Sequence, residues 1–280
     1  MAMQINSVEA KWLSPICSFV KTLYKSAHIP SHDISHHLRV WHICNNLVKR
    51  PLISQNLNPA ISSEHLIVAC LFHDTGLTVD KSERHGYASA KFCSDFFKKT
   101  PQLAVDNLRM VLYAIEHHDD KSIQQANFKD LPPELQLTRI LSTADDLDAF
   151  GLIGVYRYVE IYVLRGIALH HMPAKVLMNI ANRHKNFTNL VGVNTAFYQK
   201  HTRRYAVTVD FFKGLQEELN SGNDGNGQCT YFAKSIIHNV INKEYTIEQT
   251  IKNELVSLAS YPRKNLFSQL KDELNQFTVF

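Results

Sequence analysis

Only five cysteines occur in the 280 residues (Cys17, Cys44, Cys70, Cys93 and Cys229), and no two of them form a C-x-x-C pair. An odd, widely spaced set gives neither a zinc knuckle nor a disulfide framework, and it suits a reducing, cytoplasmic setting. Long apolar runs are lacking as well. The longest is Leu66–Phe72, far short of the ~20 residues that span a bilayer. The first residues show no continuous apolar stretch of a secretory leader, so a membrane is not an expected partner. Net charge is only +4, which suits anionic ligands but falls short of the basic surface a nucleic acid needs. Alternating apolar and polar runs, the mark of half-buried strands, are absent, and no internal repeat is visible.

What is present is an ordinary globular balance, 45% hydrophobic and 20% charged, with length for one large domain and an appendage. Nearly every segment has a helical period. Helices are expected over about 8–26, 33–49, 63–75, 83–98, 103–118, 134–149, 152–169, 173–186, 194–219, 229–242 and 246–258. Pro30, Pro51, Pro59, Gly76, Pro101, Pro132, Pro133 and Pro173 fall between or at the edges of these, and Ser62 or Ser63 is placed to cap the third. The fold class is therefore all-α. The stretch Ser221-Gly-Asn-Asp-Gly-Asn-Gly-Gln228 reads as a linker, so a main domain is expected over 1–220 and a short helical extension over 229–280.

Fifteen histidines are the unusual feature, and their placement carries the information. His36 shares a helical face with Val40, Ile43 and Leu47. His73 and Asp74 end the apolar run Leu66–Phe72, where an imidazole and a carboxylate are costly to bury without a compensating cation. His-Asp recurs at 32–33 and 118–119, but the pair at 73–74 reads as the one that ends a strongly apolar helix. Asp145 follows Leu141 by four residues and so falls on an apolar stripe; Asp146 reads as a solvated or capping residue, a reading that Asp145 and Asp148 fit less well. A lone inward histidine is more often a satisfied core residue than a ligand. Two histidines and two carboxylates converging from separate helices instead make a nitrogen-and-oxygen donor set suited to a divalent ion such as Mn, Fe, Co, Ni or Zn, with Mg not distinguished from these.

The strings His32-Asp-Ile-Ser-His36-His-Leu-Arg39-Val40, His73-Asp74 and Ala144-Asp145-Asp-Leu-Asp148-Ala resemble the HD-domain metal-dependent phosphohydrolase superfamily over roughly residues 20–215. The resemblance implies a helical bundle with His36, His73, Asp74 and Asp145 as metal ligands, Asp74 in catalysis, and Asp148 orienting a ligand or water. Arg39 is read as bracing the helix of His36. The run from Ala144 to Arg157 is most similar to bacterial members that hydrolyse nucleotides, which implies a small phosphorylated substrate, a nucleotide first. His85, His117 and His118 resemble the additional ligands of the two-metal branch. They either hold a second ion or line the cleft as hydrogen-bond donors. No Gly-Tyr-Pro signature follows His118, and Leu77 stands where a lysine is frequent. Of the basic residues after 157, Arg183 and Arg204 are the candidates for a substrate phosphate. A di-iron oxygenase on the same scaffold and a non-catalytic ligand sensor are the rival readings. A homo-oligomer is compatible with all three.

Overall fold

The computed structural model describes residues 2–221, 227–256 and 261–277. Among the described residues there are thirteen α-helices and short 3-10 turns, without a strand. The chain forms two compact units. The first comprises 1–27, 32–147 and 186–192, the second 28–31, 148–185 and 193–280.

The first unit is built around α4 (Ser63–Phe72), a helix buried on every side from His65 to Phe72. An all-round apolar helix has to be enclosed, and α1 (Ala2–Tyr24), α2 (Ile34–Leu47), α5 (His85–Lys99) and α6 (Leu108–Glu116) surround it. Phe19, Phe72 and Phe96 meet with ring centroids 5.3–6.0 Å apart, and Trp12 stands edge-on to Phe97. The short α3 (Pro51–Ser54) begins on a proline. Helix α7 (Pro133–Asp148) is tied in by Gln136, which accepts from Asn58 N (2.8 Å) and donates to Asn56 O (3.1 Å). Caps start these helices where the sequence places short polar residues. Asp33 accepts from Ser35 N at the start of α2, and Ser62, with His65, forms a reciprocal capping box on α4.

The second unit centres on α8 (Gly151–Leu164), buried from Gly151 to Ile161. Packed on it are α10 (Ala196–Asn220), α11 (Gln228–Asn242) and α13 (Tyr261–Asn275), while α12 (Ile247–Val256) rests on α13. The first part of α9 (Met172–Val191) also belongs here. Phe232 lies 5.6 Å from Phe211 and 4.5 Å from Phe267, centroid to centroid. Glu273 of α13 accepts from the amide of Leu152 at 2.7 Å, an anion at the positive end of α8. Gly151, at φ +80°, leaves room for this carboxylate, since a Cβ there would lie 2.0 Å from Glu273 Oε1.

These contacts place the unit boundary elsewhere than the sequence suggests. The described residues from 229 onward pack with α8 and α10. Phe232, Ile236, Phe267 and Leu270 are fully buried within the same unit as α8 and α10. The proposed linker 221–228 lies mostly outside the described residues, and its far end is held: Glu218 accepts from the amides of Cys229 and Thr230 at 3.1 and 2.7 Å. Helix α13 was not expected. Its sparse apolar set, Phe267, Leu270 and Leu274, is spread through a polar sequence. No helix among the described residues is long and apolar enough to cross a membrane.

Candidate metal centre

His36 comes from the inner face of α2, with Val40, Ile43 and Leu47 buried beside it. His73 and Asp74 follow α4 directly, His85 opens α5, His118 follows α6, and Asp145 lies near the end of α7. None of the six is more than 4% exposed. Their ligand atoms fall into two groups able to hold an ion, His36–His73–Asp74–Asp145 and Asp74–His85–His118, with Asp74 common to both.

The two Asp74 oxygens divide the work. Oδ2 stands 3.2 Å from His36 Nε2 and 3.4 Å from His73 Nε2. Oδ1 stands 3.0 Å from His85 Nε2 and 3.2 Å from His118 Nε2. Asp145 Oδ1 completes the first group at 3.6 and 3.7 Å from His36 and His73. The paired imidazole nitrogens face each other, His36 to His73 at 3.1 Å and His85 to His118 at 3.3 Å.

A repeated local device fixes the tautomers. His73 Nδ1 is 2.9 Å from Cys70 O, His85 Nδ1 is 2.9 Å from Ser82 O, and His118 Nδ1 is 2.7 Å from Ile115 O. A carbonyl only accepts, so each Nδ1 carries the hydrogen, and each neutral ring turns the Nε2 lone pair inward. Three such lone pairs then meet carboxylate oxygens, and acceptors facing acceptors repel. Protons or metal ions must sit between them. Such Nδ1–carbonyl bonds are how metal-binding histidines are commonly oriented, and the donor set is nitrogen and oxygen without thiolate, so the residues fit a divalent ion.

In the metal-free protein, protons fill this role. Burial opposes a cation at His73, but Asp74 and Asp145 outweigh it and raise its pKa to about 10. Burial likewise opposes a cation at His85, yet Asp74 and Asp119 push it up to about 9. Burial would raise Asp74, but His73, together with hydrogen bonds from His118 and His36, holds it well below the usual carboxylate range. His37 goes the other way. Burial, then repulsion from His73 and His36, lowers it well below the usual imidazole value. Its Nδ1 donates to Cys70 O and its Nε2 accepts from Tyr24 (2.9 Å), so His37 buttresses the site as a neutral ring.

The remaining expected residues are placed differently. His117 joins neither group: it caps α6, and its ring packs on Tyr113 one turn back, with centroids 4.4 Å apart. Adjacent residues at a helix end point some 100° apart, and His118 takes the inward direction. Asp146, read as solvated, is fully buried and paired with Lys121 at 3.1 Å, and Lys121 also donates to Ser142. Asp148 falls in the second unit, 3.5 Å from Arg157. Arg204 is also there, buried, donating to Glu273 (2.8 Å) and Phe150 O (2.7 Å). Its guanidinium thus ties α10, α13 and the start of α8 together. Arg183 donates to Asn179 and lies over the Tyr158 ring.

One residue at the centre was missed. Asp119 sits 3.6 Å from His85 Nε2 and 3.9 Å from His118 Nε2, with its side chain 30% exposed. Burial raises its pKa, but His118, His85 and Lys121 draw it below the ordinary carboxylate value. The signal was the second His-Asp pair at 118–119. It too ends an apolar helix, since Met110, Val111, Ala114 and Ile115 are all buried.

Residues 33–149 match the family model of the HD domain, and all six ligand candidates lie inside that span. This segment is an HD domain. No curated protein and no solved structure matches the chain. Within the HD domain, His36, His73–Asp74 and Asp145 occupy the H…HD…D order, and His85 and His118 fall between the second and third motifs.

Proposed function

We propose that the protein is a two-metal phosphohydrolase that cleaves a phosphate ester or anhydride, with a nucleotide as its substrate. The observation that carries this reading is Asp74: one carboxylate offers one oxygen to each of two imidazole pairs. HD domains are typically metal-dependent phosphohydrolases. Two ions held there would supply an activated water and neutralise charge on a transferring phosphoryl group. Asp74 fixes the spacing between the two subsites. The Nδ1 bonds of His73, His85 and His118 keep their lone pairs aimed inward without reorganisation. The likeness of Ala144–Arg157 to nucleotide-hydrolysing members supports the substrate class.

Purified protein, stripped and reloaded with manganese, is to be screened for phosphate release from nucleoside mono-, di- and triphosphates. Turnover that disappears in Asp74→Asn, together with a fall in bound metal, supports the reading. Full activity in that variant refutes it. The same shared carboxylate also suits a di-iron oxygenase. Iron retained through purification, O₂ consumption and no phosphate release would favour that chemistry instead.

A further inference from the structure

Resting on the two-metal reading, we infer that Asp119 is the fourth protein ligand of the second subsite, the counterpart there of Asp145 in the first. In the first subsite, the carboxylate of Asp145 lies 3.6 and 3.7 Å from the two imidazole nitrogens. In the second, Asp119 spans its pair with both oxygens, Oδ2 at 3.6 Å from His85 Nε2 and Oδ1 at 3.9 Å from His118 Nε2, where Asp145 uses Oδ1 alone. Both subsites then offer two imidazoles, the shared Asp74 and one carboxylate of their own.

Local construction points the same way. Cys70 O, His73 and Asp74 recur as Ile115 O, His118 and Asp119: a carbonyl holds Nδ1 three residues on, and an aspartate follows. Each trio stands at the end of an apolar helix, α4 or α6. The first aspartate is the bridge and the second stands at an outer edge.

The subsites differ in one respect that matters for function. Asp145 has 5% of its side chain exposed and Asp119 has 30%. The second subsite therefore has a solvent-facing wall made by a carboxylate, and the first does not. An ion in the second subsite is the one that exchanges with solvent more readily, and Asp119 sets its affinity.

The test is metal binding, independent of turnover. Metal-free wild type, Asp119→Asn and Asp119→Ala are titrated with Mn²⁺ by calorimetry, with bound metal counted by elemental analysis and helicity checked by circular dichroism. Loss even of a residue that only orients a ligand costs roughly 10- to 100-fold in metal affinity. Both variants are therefore expected to bind one ion as wild type does and to weaken the other by at least about tenfold. If wild type binds two ions and both folded variants bind two with unchanged affinities, Asp119 is not a ligand and this inference falls alone. If wild type binds one ion only, the two-metal reading falls and takes the assignment of Asp119 with it.

Discussion

Metal uptake by this protein should be a competition with protons, and its size follows from the two raised histidines. In the metal-free site His73 has a pKa of about 10 and His85 of about 9, against an ordinary 6.5. At neutral pH both rings are therefore protonated, and an ion must expel a proton from each to gain the nitrogen. One pKa unit corresponds to about 1.4 kcal/mol, so displacing the His73 proton near pH 7 costs on the order of 4 kcal/mol, or about a thousandfold in apparent affinity. Every unit by which pH rises toward the His73 value should tighten binding at the first subsite about tenfold. The sign for the metal-free fold is opposite. A raised histidine pKa stabilises the folded state fully below the ordinary 6.5, and this contribution is lost as pH climbs through about 9 and about 10. Thermal melts should thus show the stripped protein weakening as pH rises from about 7 to about 9, while the loaded protein, whose histidines are unprotonated like those of the unfolded chain, stays level over that range. Calorimetry in two buffers of different ionisation enthalpy counts the protons directly, and about one should leave per ion bound. Heats that do not depend on buffer, with an affinity flat across that range, would rule out this competition between metal and protons.

Three further outcomes are expected. Gly76→Ala should weaken the second subsite selectively, because the new Cβ would lie 2.0 Å from His85 O and 2.8 Å from Ser89 N, forcing the first turn of α5 to move; a Mn²⁺ titration identical to wild type would count against this. Lys121→Ala takes the cation from the buried Asp146 and should cost about 1–3 kcal/mol in denaturant unfolding, part of it recovered when Asp146→Asn is added; no change in the midpoint would count against a structural role for this pair. Deleting 221–280 removes the buried Phe232, Ile236, Phe267 and Leu270, worth together on the order of 10 kcal/mol, comparable with a domain's whole stability. The truncated chain should bind hydrophobic dyes and lose cooperative melting, and a sharp, wild-type-like melt would show that the second unit does not depend on these helices.

The helical class, and the cluster of His36, His73, Asp74 and Asp145 that could hold a metal, were legible in the linear chain. Period and burial coincide at α2 and α4: His36 falls on the stripe of Val40, Ile43 and Leu47, and His73–Asp74 ends a run too apolar to face water. Such patterns are local, so a linear reading finds them. Asp119, the exclusion of His117 and the buried pairing of Asp146 were decided by the tertiary structure. Which of two adjacent histidines turns inward depends on how α6 ends against α5, and a carboxylate reads as solvated until Lys121 folds over it. The same holds for Arg204, whose partners Phe150 and Glu273 lie 54 and 69 residues away. Pairing at that range leaves no periodic trace in the chain. Nor did the glycine-rich stretch at 221–228 mark the boundary, because a compact unit is defined by what its helices bury together, and Phe232 and Phe267 are buried with Phe211.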